Sequence, residues 1–116
     1  MTTTRRSVIC EPFDVVVVPF PFSDQAGSKR RPALVLSTSE FNSNGHTVLA
    51  MITTRGHRPW PGDCPISDAQ AAGLPQPCMV RLKLFTLDNR LLLRRAGQLA
   101  PPDRQHVREI LDAFLV

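Results

Sequence analysis

The chain has 116 residues, enough for one domain with one core. Hydrophobic residues make up 42% and charged residues 21%, the balance of an ordinary globular protein, and no apolar run approaches the roughly 20 residues of a membrane-crossing helix. The net charge is +4, and of the 14 basic residues only Lys29 and Lys83 are lysines. The positive charge is therefore almost wholly arginine, whose rigid fork matches phosphate, so nucleic acid or an acidic protein is the natural partner.

The start, Met1 to Arg6, is followed by too short an apolar stretch for a signal-peptide core, which leads us to expect a frayed terminus and a cytoplasmic protein. Residues 13–20, with the run Val15 to Val18, read as a first strand. Residues 23–30 read as a polar loop and 32–38 as a second strand. Phe41 to Gly45 reads as a turn, because Asn-Gly is a strong turn signal. Thr47 to Thr53 gives a third strand, 54–62 an exposed loop with Trp60, and Asp63 to Ser67 a short strand. After a Pro- and Gly-containing connection over 69–77, Cys78 to Phe85 alternates: Val80, Leu82 and Leu84 on one face, Arg81, Lys83 and Phe85 on the other. Leu91 to Leu99 reads as the last strand. Beyond Pro101-Pro102 the period changes, and Val107, Ile110, Leu111, Phe114 and Leu115 predict a terminal helix with one face on the sheet, Asp103 serving as its cap. Short strands followed by one late helix predict a mainly β (α+β) fold, a small barrel with a helical lid. Cys10, Cys64 and Cys78 form no CxxC pair and no Cys/His cluster, so free thiols are expected and zinc is not.

Three clusters carry chemistry. Lys29-Arg30-Arg31-Pro32 heads the second strand, where Pro32 pushes Arg31 toward an extended conformation and holds it. Thr53-Thr54 ends the third strand, where a hydroxyl can orient a phosphate oxygen or can simply serve β-propensity. Arg81 and Lys83 share a strand face. There is no GxSxG elbow, Walker loop or zincin helix, and His46, His57 and His106 are scattered.

On these residues the chain resembles the MazF/PemK (CcdB/PemK-like) family of type II toxins. The likeness runs from Asp14 to about Leu115. It is carried by Asp14-Val15-Val16-Val17-Val18-Pro19-Phe20 and by Gly27-Ser28-Lys29-Arg30-Arg31-Pro32-Ala33-Leu34-Val35-Leu36-Ser37. Ala50-Met51-Ile52-Thr53-Thr54, Val80-Arg81 with Thr86-Leu87-Asp88, Gly97-Gln98-Leu99 and the last helix add to it. The resemblance implies one SH3-like barrel over residues 1–116 with a C-terminal α-helix, forming a homodimer. It implies a metal-independent, cofactor-free endoribonuclease that cuts single-stranded RNA (mRNA) by 2′-OH attack. A cognate antitoxin would inhibit it, and promoter DNA would be bound as the toxin–antitoxin complex.

Carried over, Arg31, Thr53 and Arg81 stand at the family's catalytic positions, with Thr54 as the neighbouring alternative to Thr53. Asp24, Lys29, Arg30, Thr54, His57 and Lys83 form the RNA-contacting set. The chain departs from the PemK-type pattern at Lys83, where that branch has a carboxylate, and at Asp24-Gln25, where it has a first-loop histidine. Asp24 and His57 both stay open as the acid–base group. A barrel that binds RNA or antitoxin without cutting stays open as well, and so do two roles for Trp60: base stacking, or packing on a neighbouring proline. The ending Ala113-Phe114-Leu115-Val116 lacks the terminal Trp-Gly-Ile of the gyrase-directed branch.

Overall fold

A computed structural model describes residues 9–20, 29–54 and 58–116. Six antiparallel strands, β1 (Asp14–Phe20), β2 (Lys29–Val35), β3 (His46–Thr54), β4 (Cys64–Pro65), β5 (Cys78–Asp88) and β6 (Arg94–Gln98), form one curled sheet in the order β4-β5-β3-β2-β1-β6. A one-turn helix, α1 (Ser39–Asn42), joins β2 to β3, and α2 (Pro101–Phe114) follows β6. The mainly β architecture with a C-terminal helix is the expected one. Among the described residues no helix is long and apolar enough to cross a membrane.

The sheet carries apolar side chains on both faces, which explains the unbroken run Val15 to Val18. On one face Val15, Leu34, Ala50, Ile52, Val80 and Leu99 pack with Val107 of α2; on the other Val16, Val18, Ala33, Val35 and Leu49 pack with Met51, Phe85, Leu87 and Leu92. Each fully buried Val, Leu or Ile among these contributes about 1.5–3 kcal/mol. Between Ala50 and Met51 the pairing of β3 with β5 jumps, from Ala50↔Leu84 to Met51↔Arg81, so Leu82 and Lys83 bulge out of the ladder.

Several boundaries differ from the sequence expectation. β2 starts at Lys29 rather than residue 32, because residues 29–31 pair with Phe20, Pro19 and Val18 of β1. The expected turn at 41–45 is shortened to 43–45 by α1, which takes Phe41 and Asn42 and whose cap is the Thr38 side chain accepting from the Phe41 amide at 3.2 Å. The expected strand 91–99 is shortened to β6 by a 3-10 turn at Asn89–Leu91. Asp103 does not cap α2. Ala100 is the N-cap, without a side-chain bond, and Asp103 is buried, accepting from the Ser67 amide (2.9 Å), the Ser67 hydroxyl (2.7 Å) and the Asp68 amide (3.0 Å). Burial alone would raise this carboxyl; these donors outweigh it and hold it below its ordinary value. Of the expected helix face, Val107 is buried and Ile110 and Leu111 half-buried, whereas Phe114 and Leu115 are exposed. All three thiols are free and buried, as expected, and burial pushes Cys64 up to about 11.

Two glycines let the 69–77 connection lie flat on β6. Gly73 takes φ +73°, and a Cβ there would collide with the Ala96 backbone. A Cβ at Gly97 would meet the Ala71 carbonyl at 2.5 Å. A polar network ties α1 to the sheet: the Asn42 amide donates to the Cys10 carbonyl (2.9 Å), the Asn89 amide to the Asn42 carbonyl (2.8 Å), and the Thr47 hydroxyl to Asn89 Oδ1 (2.7 Å).

Candidate functional site

Strand alternation decides which cations share a surface. Ala33 of β2 lies opposite Met51 of β3, and Met51 opposite Arg81 of β5, so these three form a row directed to one face. Arg31 and Thr53 each lie two residues from that row on their own strands, hence on the same face. The paired rows of β2 with β3 end at Ala33↔Met51, and continuing their register sets Arg31 against Thr53. Arg31 is exposed and Thr53 half-buried. The three residues that the sequence singled out therefore come from adjacent strands and look the same way. Lys29 and Lys83, at odd positions on the same strands, join them, whereas Arg30 and Thr54 face the other side.

Arg81 is not a free cation. It is 8% exposed and its guanidinium grips Asp63 through two hydrogen bonds, Nε to Oδ1 at 3.0 Å and Nη2 to Oδ2 at 2.9 Å. Nη2 also donates to the Arg58 carbonyl at 2.8 Å. The hydrogen bond from Arg81 holds the Asp63 carboxyl below its ordinary value, and the same bond raises Arg81. Asp63 Oδ2 additionally accepts from the Trp60 amide at 3.0 Å. Trp60 donates its indole N–H to the Leu82 carbonyl at 3.2 Å, and Lys83 Nζ stands 4.5 Å from its ring centroid. The result is a clamp joining residues 58–63 to the bulge of β5. Trp60, 39% exposed, thus packs against cations and backbone of β5.

Asp63 is the partner of Arg81 that sequence reasoning missed. It lies 18 residues from Arg81, and its only local signal is the Pro-Gly step before it. Asp24 and His57, the two acid–base candidates, lie outside the described residues. His46 and His106 are exposed. Among the described residues no group of three or more His, Cys, Asp or Glu is disposed to hold a metal ion. Chemically, the cluster of Arg31, Thr53, Arg81, Lys29 and Lys83 offers an exposed guanidinium, a hydroxyl, a fixed guanidinium–carboxylate pair and two lysines. That set suits a phosphodiester and its developing negative charge.

A family model described as PemK-like, MazF-like toxin of type II toxin–antitoxin system matches residues 11–115. Among solved structures, a MazE–MazF complex from Deinococcus radiodurans superposes with a TM-score of 0.72 at 24% identity, covering 93% of this chain and 97% of that one. An endoribonuclease in complex with its cognate antitoxin from a mycobacterial species gives 0.71 at 19% identity, over 91% and 94% of the two chains. The Mycobacterium tuberculosis toxin MazF-mt6 gives 0.67 at 25% identity, over 87% and 95%. A comparison with curated protein sequences found no match.

Proposed function

Because the chain belongs to the PemK-like, MazF-like family of type II toxins, we propose that it is an endoribonuclease that cuts single-stranded RNA, mRNA in particular, at short sequences and is silenced by an antitoxin protein. The observation that carries this reading is the common face of Arg31, Thr53 and Arg81 on three adjacent strands. A ribose 2′-hydroxyl attacks the adjacent phosphorus, the bond to the 5′-oxygen breaks, and the products are a 2′,3′-cyclic phosphate and a 5′-hydroxyl. The reaction needs no metal or cofactor, because its two demands are placement of the 2′-oxygen and neutralisation of charge on the phosphoryl oxygens.

Arg31 meets that charge directly. Thr53 donates its hydroxyl to a phosphoryl oxygen and fixes the phosphorus against the attacking group. Arg81 is fixed by its two bonds to Asp63, which offset much of its charge, so its part is a rigidly placed N–H donor edge rather than a mobile cation. Lys29 and Lys83 track neighbouring phosphates. The protein acts as a homodimer in the cytoplasm, and its complex with antitoxin binds promoter DNA. A second reading, a barrel that binds RNA or antitoxin without cutting, is favoured by one observation: Arg81 is already occupied by Asp63.

The test is incubation of purified protein with a long single-stranded RNA in chelator, with new 5′ ends mapped. Discrete cuts that disappear in Arg31→Ala, at an unchanged melting temperature, support the nuclease. Binding with no cuts in the wild type selects the second reading. Unchanged cutting by Arg31→Ala refutes the assignment of Arg31.

A further inference from the structure

On the opposite side of β2 lies a cleft of about 360 Å³ whose borders include Arg30, Arg31 and Arg94. Its floor follows from the register. Arg94, Val17 and Pro32 form one row across β6, β1 and β2, facing the same way as Val15, and Arg30 follows two residues from Pro32 on that face. Leu74 and Pro75 close one side, brought there by the flat seating of Gly73 on Ala96. Arg30 and Arg94 are exposed, no carboxylate lines the cleft, and neither guanidinium is in an ion pair among the described residues. An apolar floor between two phosphate-matching forks suits one nucleotide, its base against Val17 and the prolines and its phosphate on the arginines.

We infer that this cleft is a nucleotide subsite for RNA, with Arg94 and Arg30 as its phosphate-binding residues; it rests on the proposed reading of the Arg31 face. An RNA strand is favoured over a protein partner because Arg31 borders both surfaces. It projects to the Thr53 side from the stretch of β2 that lies beyond the last row paired with β3, yet it also lines the cleft. One continuous polyanion leaving Arg31 over that ridge enters the cleft, and the subsite selects the base flanking the scissile bond.

Binding is measured by fluorescence anisotropy with a single-stranded 2′-O-methyl RNA decamer, which cannot be cleaved. Failure of the nuclease reading and failure of the subsite are thereby separated: the first appears as absent cuts in native RNA, the second only here. Arg94→Gln is expected to weaken binding about tenfold. It should also flatten the slope of log affinity against log salt by about 0.7, the share of one phosphate contact on a single strand. Leu93→Asp sets a negative charge on an exposed residue lining the cleft without removing an arginine, and is expected to weaken binding in the same direction. Unchanged decamer affinity in both variants overturns the inference. Unchanged decamer affinity with lost binding of a glutamate-rich peptide also overturns it, assigning the cleft to a protein.

Discussion

Replacing Asp63 with alanine tests whether the Arg81 pair holds the site together. In the folded protein the side chains of Arg81 and Asp63 are 10% and 17% exposed. The substitution removes both carboxylate bonds and the acceptor of the Trp60 amide, leaving Arg81 with the Arg58 carbonyl alone. Breaking one side of a buried pair costs about 3–5 kcal/mol, and the residual solvent contact here places the loss near about 3 kcal/mol. Unfolding entropy of about 2.1 cal/mol/K per residue over 116 residues gives about 0.24 kcal/mol/K, so the melting temperature should fall by about 12 °C. Arg81→Met should cost less, since it leaves an isolated carboxylate nearer to water. The double variant Asp63→Ala/Arg81→Met should lose no more than Asp63→Ala alone, with a coupling of about 2 kcal/mol. Calorimetry on the four proteins measures the cycle. A fall below about 4 °C for Asp63→Ala, or additive losses, refutes the clamp and returns Arg81 to the status of an independent cation.

The carboxyls of Asp63 and Asp103 both sit below their ordinary values. Their stabilisation is fully present above an unfolded value of about 3.9 and is lost as pH falls through the folded values, so urea midpoints should be flat near neutrality and drop below about pH 4. A drop already complete at pH 5 contradicts this. Gly73→Ala should cost about 3 kcal/mol or more, combining a left-handed backbone with a collision against the Ala96 backbone; a variant within about 1 kcal/mol of wild type in urea would show that the connection can lift off β6. Asn89→Leu keeps the forked heavy-atom shape but leaves the Thr47 hydroxyl and the Asn42 carbonyl without their partner, and about 2–4 kcal/mol should disappear from the unfolding free energy; a neutral result would mean that water replaces the amide.

The alternating positions of β5 and the apolar run of β1 were legible because each residue there faces a core that its own period announces. The same periodicity put Thr53 and Arg81 on strands, Pro32 set Arg31 at the head of another, and the pleat then set all three on one face. What stayed hidden depended on partners distant in sequence. Lys29 and Arg30 looked like loop because clustered cations carry loop chemistry, yet they pair with Phe20 and Pro19 of β1. Asp103 stands where a cap belongs, but its donors are 35 and 36 residues away. Asp63 becomes recognisable only once β4 is laid beside β5. The opposite orientation of Arg30 and Arg31 was implicit in strand geometry, but only after the strand was known to begin at Lys29.

The two residues that bulge from β5 also have a parity. Because side chains swap sides at every step, a pair of extra residues leaves Phe85 and Leu87 pointing where an uninterrupted strand would have sent them. Removing both Leu82 and Lys83 would shorten the strand without turning it inside out, whereas removing either one would carry every later side chain of β5 to the wrong side. The length of this segment can therefore drift in steps of two, and each such step would change what stands beneath Trp60 while sparing the barrel.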